Sequence, residues 1–171
     1  LLKRADGPVE AHMFFSHTHW DHIQGFPFFS PAYAKESRLF VYDLEGVDNR
    51  IHRLLHGQMR AEYFPVDFKE LRASIVSREL RSGQCVGGVE VRYLEQDHPG
   101  GSFAFSFTKG DCKVVYATDS EIDRILLNRD ASLTDLAVRR RPPEEVVEFV
   151  AGADLLVADG QYTDEEDPGK I

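Results

Sequence analysis

The chain has 171 residues, 42% apolar and 29% charged, proportions of a soluble globular protein with one domain and a substantial core. No apolar run approaches the about 18 residues that a membrane helix needs, and "LLKRADGPVE" lacks the apolar stretch and cleavage site of a secretory leader, so a cytoplasmic protein with no membrane partner is expected. A net charge of −9 argues against a broad surface for extended nucleic acid. It leaves a phosphate-bearing small molecule open, because carboxylates that hold cations invert the charge locally.

Taken in chain order, "VEAHMFF" (9–15) reads as a strand, and "HIQGFPFF" as a helical turn broken by Pro27. "RLFVYD" (38–43) is a second strand. In 47–60 the apolar residues Ile51, Leu54, Leu55 and Met59 follow helical spacing. "SIVSREL" and "VEVRYLE" alternate as strands do, and "GSFAFSFTKGDCKVVYATD" reads as a hairpin turning at "KGD". A helix near 121–128 follows, then the polar connection "LAVRRRPPEE". "PPEEVVEFVAGA" opens with the prolines and acids of a helix start, and "DLLVADG" reads as a short buried strand. The sum is an α/β protein, a mixed sheet faced by helices in a single domain over 1–171, with no repeat and no visible boundary. Cys85 and Cys112 stand far apart and read as two reduced, buried thiols.

One stretch asks for a chemical explanation. "SHTHWDHIQGF" places His17, His19, Asp21 and His22 within six positions. In an extended segment residues i and i+2 share a face, so His17 and His19 can aim at one point. Asp21 and His22 open the next turn and can aim at a neighbouring point. Imidazole nitrogens suit zinc or iron, and a carboxylate adds charge for a second cation. Further ligands are expected at strand ends, where His98 ("EQDHPGGSF") and Asp119 ("VVYATDSE") stand.

"HTHWDH" resembles the HxHxDH signature of the metallo-β-lactamase superfamily, "DHPGGSFAFSF" its third-histidine segment and "VVYATDSE" its bridging-aspartate segment. The order and spacing agree over nearly the whole chain. The resemblance implies a metallo-β-lactamase-like αβ/βα sandwich of four layers, mixed sheets faced by helices. It implies a dinuclear site: one metal on His17, His19 and His98, a second on Asp21 and His22, and Asp119 bridging. Two divalent ions are implied, zinc first, with manganese or iron as alternatives. The family's upstream "LLDxG"-like strand pair and its later "GHS"-like histidine have no counterpart here. The chain starts with Leu, and His98 is its last histidine, so truncation at both ends is expected.

The implied activity is hydrolysis by a metal-bound hydroxide, with Asp21 both ligand and catalytic orienter. No GxSxG elbow or suitably placed cysteine offers a protein nucleophile. The resemblance is closest to the branch of phosphodiesterases and transfer-RNA 3′-processing nucleases. The IQG-aromatic continuation is like that of phosphodiesterase members, and Trp20 stands where the processing nucleases more often have Gly. A small phosphodiester such as a cyclic nucleotide is the first choice of substrate. The alternatives are a transfer-RNA 3′-processing endoribonuclease, a mononuclear iron dioxygenase, and a non-catalytic domain with a vestigial site; a homodimer is left open. His19 stands against the diiron flavoprotein variant, which has Glu at that position.

Among secondary features, "VRRR" (138–141) reads as a solvated loop and "HPGGS" as a turn. Trp20, Phe26, Phe28 and Phe29 read either as core or as a pocket wall. His52 and His56 read as a surface pair, His12 as a packed histidine or one standing behind the metal ligands, and Asp97 equally as a group that orients His98 or as a solvated loop aspartate.

Overall fold

A computed structural model describes residues 8–46, 49–128 and 141–159, apart from the side chain of Asp123. The tail from "GQYTDEE" onward and Val138–Arg140 of the basic cluster lie outside the described residues. The chain divides after Arg81 into two compact units.

The first unit is built on a parallel sheet, β1 (Glu10–Met13), β2 (Arg38–Leu44) and β3 (Ser74–Leu80), in that order. Parallel neighbours need long crossovers. The first carries α1 (Trp20–Ile23) and two 3-10 turns (Phe26–Phe28 and Ser30–Tyr33), the second carries α2 (Arg50–Gln58). The register pairs His12 with Phe40 and Phe40 with Val76. In β2 Leu39, Phe40, Val41, Tyr42 and Asp43 are all buried, the continuous run that a central parallel strand shows. Leu39 and Val41 join Ile23, Phe26, Ala32, Ile51, Leu55 and Met59 in one apolar cluster. Helix α2 thus turns Ile51 and Leu55 inward, while Leu54 remains exposed. Asn49, its flanking residue, is left-handed (φ 51°) and makes no side-chain cap. The helix is capped from the sheet instead: buried Asp43 accepts the Ile51 N–H at 2.9 Å, satisfying one orphan donor.

On the other face of this sheet His12 stacks on Phe40 with ring centroids 5.0 Å apart, and its Nδ1 lies 2.9 Å from the Tyr42 hydroxyl. It is the packed histidine expected of its strand position. Burial raises the Tyr42 hydroxyl above its ordinary pKa, with Arg78 pulling the other way and Glu10 adding to the rise.

The second unit holds a five-stranded sheet, β4 (Gln84–Val86), β5 (Val89–Gln96), β6 (Ser102–Lys109), β7 (Cys112–Ala117) and β8 (Leu155–Ala158). The first four strands form an antiparallel meander, and β8 joins β7 in parallel. Before β8 come α3 (Ile122–Ile125) and α4 (Glu144–Val150). Lys113 secures this crossover: its Nζ donates to the carbonyls of Phe149 (2.7 Å) and Ala151 (2.8 Å) at the end of α4, where a cation suits the helix dipole. Its backbone N–H donates to the Asp154 carboxylate at 2.7 Å.

Four expectations need correction. The helix near 121–128 is a single turn, because Leu127 pairs instead with Arg141 in an isolated antiparallel bridge. Strand β8 is exposed, with Leu155 at 54%, and among the described residues it pairs with β7 alone. Cys85 and Cys112 are free but exposed, since they fall on outward strand positions. Strand β4, only three residues long, adds an element that the sequence pattern does not predict. Among the described residues, no helix is long and apolar enough to cross a membrane.

Candidate metal centre

In the first unit the chain leaves β1 through Phe14, Phe15 and buried Ser16 before reaching His17. His19 is the residue from which α1 starts and keeps an extended backbone (φ −61°, ψ 153°). The chain is therefore extended at His19, and it then turns. The His22 N–H donates to the His19 carbonyl at 3.1 Å and the Gln24 N–H to Trp20 at 2.9 Å, closing that turn. The result gathers imidazoles around His17. Its ring lies 4.5 Å from that of His19, edge-on, and 4.2 Å from that of His22. His22 Nε2 is 3.2 Å from Asp21 Oδ2. His17 is buried and its Nδ1 lies 3.2 Å from the Ser16 hydroxyl. Arg50 donates to Thr18 Oγ1 at 3.3 Å, bracing the segment from the side opposite the histidines.

The aromatics after the motif divide by burial. Phe26 is 4% exposed and belongs to the core, and Phe29 packs on it. Phe28 is 75% exposed and Trp20 is also outside. The pocket-wall reading therefore loses Phe26 and Phe29, which fill the space under α1. His52 and His56 both set their rings against Phe68, at 5.2 Å each, as a surface pair would.

In the second unit the two remaining ligand candidates follow β5 and β7, the strands on either side of β6. Residues 98–101, "HPGG", form a tight turn: the Gly101 N–H donates to the His98 carbonyl at 2.8 Å, and Gly100 has φ 86°. Proline second and a left-handed glycine third suit a type II turn, which confirms "HPGGS" as a turn. It presents His98 at its first position. Asp119 follows β7 in the left-handed region (φ 54°), which aspartate tolerates better than most residues. Three polar contacts hold the two strand ends together. Gln96 Nε2 donates to the Thr118 carbonyl (2.8 Å) and to Ser102 Oγ (3.3 Å), and Ser102 Oγ donates to the same carbonyl (3.4 Å). With the ends fixed, His98 Nε2 lies 3.7 Å from Asp119 Oδ2.

Asp97 meets the turn after β7 through its backbone. Its carbonyl accepts the Glu121 N–H at 2.7 Å, and it is the Glu121 carboxylate that stands 3.8 Å from His98 Nδ1. Sequence reasoning passed over Glu121. The available signal was its place two residues beyond Asp119, on the turn leaving the same strand.

These donors fit divalent metals. Three imidazoles and one carboxylate sit together in the first unit, and an imidazole beside a carboxylate in the second. That nitrogen-rich mixture suits zinc and its neighbours.

The parallel and mixed sheets make this an α/β protein, and its motif order and donor chemistry resemble those of metallo-β-lactamase fold proteins. No known protein-family profile matches the chain. By sequence it is 24% identical to ribonuclease Z of Haloferax volcanii over 197 residues, covering 97% of this chain and 61% of that protein. The match runs through the segments that hold His17, His19, Asp21, His22, His98 and Asp119. Solved structures similar to it include the metallo-β-lactamase fold protein YhfI of Bacillus subtilis (TM-score 0.47, 15% identity, 93% of this chain and 53% of that one). A diphosphatase of the PhnP family gives a TM-score of 0.49 at 18% identity, over 82% of this chain and 44% of that one. The short form of human tRNase Z gives 0.46 at 15% identity, over 86% of this chain and 71% of that one. The chain therefore spans 61% of the curated relative it matches and about half of two of these structures.

Proposed function

We propose that residues 1–171 form one metallo-β-lactamase-type hydrolase domain in which both units contribute to a dinuclear site. The proposed groups are His17, His19, His98 and Asp119 for one ion, and Asp21, His22 and Asp119 for the other. The observation that carries this reading is the hexapeptide 17–22, folded so that His17 stands against both His19 and His22. The ribonuclease Z match supports joining the two sets, because it runs through both units.

When bound, such ions activate water and neutralise charge on the attacked group. The chain's own residues do the rest. In this reading Asp21, exposed at the start of α1, is both a ligand and the orienter of the attacking water. His17, buried and held by Ser16, gives a rigid donor beside the more exposed His19. Two carboxylates offset only half the charge of two divalent ions. The loaded site therefore stays cationic within an acidic protein, and an anionic substrate suits it.

The substrate we infer is a small phosphodiester such as a cyclic nucleotide, and zinc is the metal its nitrogen-rich donors favour. A second reading, transfer-RNA 3′ processing, is favoured by the relative's being a ribonuclease Z.

In the intact protein, His17→Ala and His98→Ala should each remove most bound zinc and abolish cleavage of bis(p-nitrophenyl) phosphate. A variant that keeps both metal and turnover overturns the dinuclear reading. Cleavage of precursor transfer RNA without turnover of cyclic nucleotides selects the second reading. Turnover of thiols with oxygen uptake and bound iron selects neither and overturns hydrolysis.

A further inference from the structure

We propose that Glu121 is a positioning residue that sets which nitrogen of His98 is the ligand. The inference rests on the reading of His98 as a metal ligand. It comes from the second unit alone. The His98 ring lies between two carboxylates: Nε2 faces Asp119 Oδ2 at 3.7 Å, and Nδ1 faces Glu121 Oε1 at 3.8 Å. A neutral imidazole carries one proton and one lone pair. A proton on Nδ1 is stabilised by Glu121, and the lone pair then points toward the Asp119 side, where the ion is expected. The opposite tautomer would put the proton on the ligand nitrogen and leave Glu121 facing a lone pair. Carboxylates behind metal-binding histidines act in this way generally.

The anchoring of Glu121 does not depend on its side chain. Its backbone N–H donates to the Asp97 carbonyl at 2.7 Å, tying the turn after β7 to the turn that presents His98. The side chain is 37% exposed, so rotation about its torsions is free to shorten 3.8 Å, which is beyond a direct hydrogen bond, into one. Glu121→Ala should therefore fold as the parent does.

The test compares parent, Glu121→Ala, Glu121→Gln and His98→Ala. Zinc affinity is read by competition with a chromogenic chelator, and the His98 tautomer by nitrogen-15 NMR of the metal-free protein. The parent should hold the Nδ1–H form. Glu121→Ala should lose that preference and bind zinc about tenfold to a hundredfold more weakly. Glu121→Gln, which keeps an acceptor oxygen, should recover part of both. If His98→Ala loses zinc while Glu121→Ala keeps the parent's tautomer and affinity, the positioning role is overturned and the site stands. If His98→Ala keeps full zinc binding, the ligand assignment falls, and this inference with it.

Discussion

His17, His19, Asp21 and His22 occupy one extended segment and the first turn of α1, whereas His98 and Asp119 come from the ends of different strands. The first unit needs little beyond local geometry to bring its donors together. An extended backbone and one closed turn suffice. The second unit needs a tight glycine turn, a left-handed aspartate and the Gln96–Thr118–Ser102 contacts before His98 meets Asp119. The cores differ in parallel. The first unit packs its sheet on one apolar cluster, while the second ends, among the described residues, in a strand with exposed leucines. Donors that are close in sequence can thus rest on short elements, and donors far apart need the strand ends fixed first.

The largest effect expected is in the first unit's core. Leu55 is fully buried, so Leu55→Ala should cost about 2–5 kcal/mol in denaturant unfolding. Leu156 on β8 is about half exposed, and Leu156→Ala should cost less, about 0.5 kcal/mol or below. Equal losses would erase the distinction between the two units. Next comes the turn that presents His98. Gly100→Ala, at φ 86°, should cost about 1–2 kcal/mol and lower zinc affinity as well. An alanine that leaves both unchanged would show that the turn does not set the ligand. Gln96→Ala should cost about 1 kcal/mol, the scale of a net hydrogen bond, with weaker metal binding but little change in secondary structure by circular dichroism. Unaltered metal binding would mean that the strand ends hold without it.

The smallest effect is electrostatic. The Lys69 N–H donates to the Asp67 carboxylate at 3.0 Å and holds its pKa below the ordinary carboxylate value. A lowered folded pKa adds stability above the unfolded value that fades as the pH falls through the folded one. Asp67→Asn should therefore flatten the fall in melting temperature as the pH drops below the ordinary carboxylate value of 3.8. A parent and variant with parallel pH curves would contradict this, since the carboxylate would then contribute nothing when ionised.

The sequence alone determined the pattern of elements and the identity of the metal motif. Val, Ile and Phe runs at period two and the Ile51–Leu55–Met59 spacing are local signals, set by how side chains project from a strand or a helix. The hexapeptide was legible for the same reason, because its donors meet across one turn. Tertiary structure decided what depends on partners distant in sequence. It buried Phe26 and left Phe28 in solvent, although the two flank the same proline. It exposed β8, because burial of an apolar strand depends on what packs over it and not on its own composition. It also set Glu121, rather than Asp97, behind His98, because the turn after β7 is hydrogen-bonded to the turn after β5, a pairing that no local periodicity encodes.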